Sequence, residues 1–264
     1  EQLVVAEVLA GRPPPAGVPV PLTGSAMVRS LLVRGMLAGL AAGIAAFVFA
    51  YLFGEPGVNG GIAFEEQGMH GHGGEELVSR GVQSTVGLLV GVLVYAVAIG
   101  GILALVYAAT RGRVGPTGPR AAALVLAAVG FAVVVLVPFL KYPGNPPGSS
   151  DDGSIGQRTG LYLVMLLFSV LVAALATALG KNLVPRLGTW NATIVSVVAY
   201  LLVVAVGGAL LPTVNETPDG FPATVLYDFR IAALGVHVVL WSVLGLVFGA
   251  LVERGARREQ QVLA

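Results

Sequence analysis

"STVGLLVGVLVYAVAIGGILALVYA", residues 84 to 108, runs for 25 residues without a charged side chain. As a helix rising about 1.5 Å per residue it reaches about 37 Å, enough to cross a hydrocarbon core of about 30 Å. Its apolar residues are continuous rather than alternating, which argues against a barrel strand, and a helix satisfies its own backbone hydrogen bonds in lipid. Five more stretches read the same way, at 35–53, 120–140, 160–180, 192–211 and 229–252. The whole chain, 264 residues with 56% hydrophobic and 11% charged side chains, lies far from the composition of a water-soluble domain. The expected fold is all-α: a polytopic membrane helix bundle of about six transmembrane helices.

Charge predicts the orientation. With a cytoplasmic N-terminus, the inner segments carry eleven basic residues, among them Arg29, Arg34, Arg111, Arg120, Lys181 and Arg254, against four acids. The outer loops carry ten acids against Arg80, Lys141, Arg158 and Arg230. Basic residues collect on the cytoplasmic side, so both termini are expected there. Topology accounts for the basic bias, and no nucleic-acid partner is implied; the bilayer is the partner. Cysteine is absent, which removes disulfides and thiolate ligands.

Residues 1–26 contain "GRPPPAGVPVP" and read as a proline-rich disordered segment. "MVRSLLVRGML" from Met27 resembles a natural start, so the preceding residues are expected to be an over-extended or added piece. Residues 27–264 form the expected transmembrane domain, with an acidic His/Glu outer loop at 54–83.

The six spans pair into three similar hairpins. Each outer loop opens with proline and asparagine: Pro56 and Asn59, Pro143 and Asn145, Pro212 and Asn215. Proline is expected to stop the helix and asparagine to support the turn. Each returning helix begins with an arginine, Arg80, Arg158 or Arg230, and nearby carboxylates such as Glu55, Glu216 and Asp228 predict structural ion pairs. Three hairpins would then gather their Pro-Asn turns at one outer mouth, where Asn59, Asn145 and Asn215 offer oxygens to a passing ion. The same residues also serve simply to punctuate helix ends. Small-residue rows at Gly35, Gly39 and Gly43, at Gly87 and Gly91, and at Gly245 and Gly249 predict close helix packing inside the chain, or an oligomer through those faces.

Chemistry concentrates in "EEQGMHGHGGEE", residues 65–76. His70 and His72 offer imidazole nitrogens, Met69 a thioether, and Glu65, Glu66, Glu75 and Glu76 carboxylates, a donor mixture that suits borderline transition metals. The intervening glycines let the backbone gather these groups, and a solvated acidic loop is the plainer alternative. Within the spans there is no Asp, Glu, Lys or Arg near mid-membrane, which disfavours a carboxylate proton relay. His237 lies seven residues past Arg230, about 10 Å below the outer surface, and Met165 stands equivalently after Arg158. Together they are a candidate second metal station, set against the ordinary readings of a backbone-bonded histidine and a gap-filling methionine. No phosphate-binding loop, helical metallohydrolase motif or haem-histidine pair occurs, so an enzyme is not expected.

"GVNGGIAFEE" (57–66), "VPFLKYPGNPP" (137–147), the stretch "LGTWNATIVSVVAY…PTVNETPDGFPATVLYDFR" (187–230) and "IAALGVHVVLWSVLGLVFGALVER" (231–254) resemble the CbtA family of predicted cobalt transporter subunits. The resemblance implies an inner-membrane permease component taking up Co²⁺, linked to cobalamin synthesis, with a small single-span partner like CbtB. Ligand type alone does not choose cobalt over Ni²⁺ or Zn²⁺, and no permanently bound cofactor is expected. A non-transporting scaffold or regulatory subunit is the alternative.

Overall fold

The computed structural model describes residues 24–68, 79–111, 118–150 and 155–263. Every regular element among them is helical. Helix α1 (residues 24–68) joins Gly24–Phe49, a π turn at Ala50–Gly54 and Glu55–Gly68. Helix α2 is Arg80–Thr110, α3 is Pro119–Lys141, α4 is Ile155–Leu210 and α5 is Ala223–Leu263. All five are long and apolar enough to cross a membrane.

Helix α4 is folded back on itself. Gly188 breaks it with φ +72°, a left-handed backbone that glycine adopts without a Cβ penalty, three residues after Pro185. The arms on either side, 155–187 and 189–210, pack against each other. Ser169 meets Tyr200, Phe168 covers Gly207, and Ser196 lies over Gly180.

Proline does not end α1 as the sequence predicts. Pro56 sits inside the continuing helix, preceded by the π turn, where the Glu55 N–H donates to the Ala50 carbonyl five residues back. Helix α3 repeats the device: a π turn at Phe131–Leu136 carries the Val137 N–H to the Ala132 carbonyl, and Pro138 follows. Proline lacks an N–H and crowds the carbonyl four residues earlier, and a wider turn relieves both without stopping the helix. The expected outer loop at 54–83 is therefore helical over its first part, and α1 reaches about 67 Å at 1.5 Å per residue.

The main core lies between α1, α2, α3 and α5. It contains Leu31, Ala38, Ala42 and Ala46 of α1, Ala96, Leu103 and Tyr107 of α2, Ala123 and Ala127 of α3, and Leu240, Leu244 and Phe248 of α5. Helices α1 and α2 touch almost backbone to backbone: a Cβ at Gly35 would strike the Gly100 carbonyl, and one at Gly39 the Ala96 carbonyl. Gly245 and Gly249 receive Ala127, Arg120 and Ala123 of α3. Two of the three glycine rows thus pack within the chain, while Gly91 faces open space and Gly87 meets only its own helix. A smaller core of Tyr142, Met165, Val172 and Val204 holds α4 against the end of α3.

Candidate functional site

At the predicted outer end of the bundle, polar side chains form two groups, while Glu253 pairs with Arg120 and Arg257 at the opposite end. In the first, Arg80 pairs with Glu55, and its Nε donates to Asn59 Oδ1 at 3.2 Å, tying the start of α2 to the extension of α1. The second group is larger and more enclosed. Arg158 Nη1 donates to Glu216 Oε1 at 2.7 Å, and its Nη2 donates to the Pro143 carbonyl. The same Glu216 oxygen accepts from Ser150 Oγ at 3.0 Å and from Asn145 Nδ2 at 3.3 Å. Asn145 turns its other atom outward as an acceptor: Arg230 Nη2 donates to Asn145 Oδ1 at 2.8 Å. Tyr142, next to Pro143, donates its Oη to the Pro212 carbonyl at 2.7 Å, and burial raises the phenol above its ordinary value.

Local sequence explains this gathering. The segment 143–150 runs "PGNPPGSS", whose prolines and positive-φ Gly148 turn it back over α1, bringing Gly148 against Gly61 and Glu65. Gly57 and Gly60 let the α1 extension settle on Phe229 and Val225 of α5. Of the predicted ion pairs, those of Arg80 and Arg158 form. Arg230 has an amide oxygen where a carboxylate was expected, among the described residues. Asn59 and Asn145, expected to offer oxygens to an ion, spend them on guanidinium groups, and Asn215 is exposed. Arg230 and Arg158 are linked through Asn145 and Glu216, whereas Arg80 binds Glu55 and Asn59.

Met69, His70, His72, Glu75 and Glu76 lie outside the described residues. Glu65 is half-buried near Gly148, and Glu66 is exposed, at the end of α1. Deeper in the bundle, His237 meets the Tyr95 ring edge-on with centroids 5.9 Å apart, and its Nδ1 is buried without a partner. Met165 is only 2% exposed and packs in the smaller core. Among the described residues no group of three or more His, Asp or Glu stands ready for a metal ion.

Sequence reasoning missed the hydroxyl relay of Ser169 and Tyr200 and the contact of Tyr95 with His237. Both need knowledge of which helices are neighbours. The one available signal was the presence of hydroxyls in otherwise apolar spans.

A family model described as "Probable cobalt transporter subunit (CbtA)" matches residues 28–253, a stretch that includes nearly all of this helical bundle. The chain belongs to the CbtA family. No curated protein and no solved structure matches it. Membership in a transporter-subunit family, with five apolar helices of spanning length, makes this a multi-pass membrane protein. The CbtA match begins just after the proline-rich segment and ends at Glu253, near the cytoplasm-predicted basic end of α5.

Proposed function

We propose that this chain is the permease component of a Co²⁺ uptake system in the cell (inner or plasma) membrane, linked to cobalamin synthesis. It crosses six times, the two arms of α4 counting separately, with both termini in the cytoplasm. The observation that carries the reading is the family match over residues 28–253, from α1 through most of α5. Loop residues Met69, His70, His72, Glu75 and Glu76, with Glu65 and Glu66 at the end of α1, collect divalent ions outside, where acidic neighbours raise the local cation concentration. His237 then offers an imidazole within the bundle, with Met165 as a weaker contributor.

Entry needs no nucleotide. A potential of about 100 mV, negative inside, favours two inward charges by about 4.6 kcal/mol, or a roughly thousandfold accumulation. Asn59 and Asn145 offer oxygens to the ion only when their arginines release them. A small single-span protein like CbtB is the expected partner, and the open row at Gly87 and Gly91 suits close approach of one more helix.

Uptake of radioactive cobalt into vesicles containing this chain alone, the partner alone, or both tests the reading. Flux that requires this chain supports it; flux indifferent to its deletion overturns it. The second reading is a scaffold or regulatory subunit, for which the open row at Gly87 and Gly91 would serve as a docking face. In that case cobalt flux persists with the partner alone.

A further inference from the structure

Three buried side-chain nitrogens among the described residues have no hydrogen-bond partner: Arg230 Nε, His237 Nδ1 and Trp241 Nε1. All three belong to α5. At 100° per residue, steps of seven and eleven return to within about 20° of the starting direction, so they form one strip along a single face, spanning about 16 Å. A buried donor or acceptor without a partner costs about 1–3 kcal/mol, and hydrocarbon offers nothing to replace it. Three such costs on one face are hard to ascribe to unrelated accidents of packing. The strip begins at the outer polar group, where Arg230 holds Asn145, and runs inward to Trp241, whose ring rests on Gly130 of α3. Tyr95 of α2 stands against it at His237.

We propose that this face of α5 lines a water-filled inlet entered from the outer end, and that the structure holds the inlet closed. Closure leaves the three nitrogens unpaired; opening hydrates them, so their hydrogen-bonding energy favours the open form. The chemistry of the strip sorts what it accommodates. Arg230 Nε and Trp241 Nε1 only donate, so they hold water oxygens and cannot ligate a cation. His237 Nδ1 carries a free lone pair when the other ring nitrogen holds the proton, and it is the one group of the strip able to take a place in a metal's coordination shell. A divalent ion at this station therefore keeps most of its water. The purpose assigned to the inlet rests on the transport reading, but its existence is tested by solvent access rather than metal flux, so the two can fail separately.

The chain has no cysteine, so each introduced thiol is unique. Leu234 lies on the strip between Arg230 and His237, whereas Ile231 and Val238 turn to an exposed apolar side. The full chain in sealed vesicles is treated from outside with an anionic, membrane-impermeant methanethiosulfonate, suited to a mouth bearing two guanidinium groups. Leu234→Cys and His237→Cys should react about tenfold or more faster than Ile231→Cys and Val238→Cys, because a thiol confined to apolar surroundings ionises poorly. Two strip positions guard against misfolding of either, and each variant is first matched to the parent by gel filtration. Uniformly slow labelling, or faster labelling at Ile231→Cys and Val238→Cys, overturns the proposal.

Discussion

Ser169 donates its hydroxyl to the Val133 carbonyl at 2.7 Å, the backbone oxygen five residues before Pro138. In the π turn that carbonyl would be served by residue 138, and proline has no N–H to give. Tyr200 lies 2.8 Å from the same Ser169 oxygen and supplies the second hydrogen bond. A helix irregularity in α3 is thus repaired by both arms of α4. Ser169→Ala should lower stability by about 1–2 kcal/mol, with Tyr200→Phe costing less, since only the former orphans a backbone carbonyl. Thermal unfolding in detergent reads both, and equal losses would contradict the ranking.

Glu216 is the hub of the enclosed polar group, its side chain 4% exposed and shared by Arg158, Asn145 and Ser150. Glu216→Gln should cost about 3 kcal/mol or more by leaving guanidinium charge uncompensated in a partly buried site. Arg80→Gln removes a more solvated pair and should cost about 1 kcal/mol or less. Unfolding midpoints of the two variants test the contrast.

The glycine rows divide by what faces them. Gly100→Leu drives a side chain into the α1 backbone and should abolish the parent protein's gel-filtration peak. Gly91→Leu meets open space within the chain and should leave the fold intact. If the single-span partner docks there, Gly91→Leu will prevent its co-purification while the fold survives.

Replacing His70 and His72 together by alanine should depress cobalt uptake at limiting metal more than at saturating metal, as expected of a collecting loop. Loss in equal proportion at every concentration would indicate damage elsewhere. Accessibility of Glu75→Cys from outside checks the orientation that this role requires.

The membrane character and helical class are legible in apolar run lengths, because lipid leaves the backbone few choices. The break of α4 at Gly188 falls between the apolar runs ending at 180 and beginning at 192. The continuation of α1 past Pro56 was not legible, since the proline rule carries no sign that a π turn will absorb the missing N–H. The ion pairs of Arg80 and Arg158 followed from charge alone. Arg230 did not, because its partner depended on how the 143–150 segment folded across α5. His237 was visible as a polar residue at depth, but its alignment with two other unpaired nitrogens appears only when the neighbours of α5 are known.

The contact of Gly35 and Gly39 with Gly100 and Ala96 has a mechanical corollary. Backbones pressed this closely leave no slack for sliding, and with α5 wedged between α1 and α3 the four helices make a stiff stator. The α4 hairpin leans on that block mainly through the end of α3, so relative motion between hairpin and block is concentrated along this slender seam.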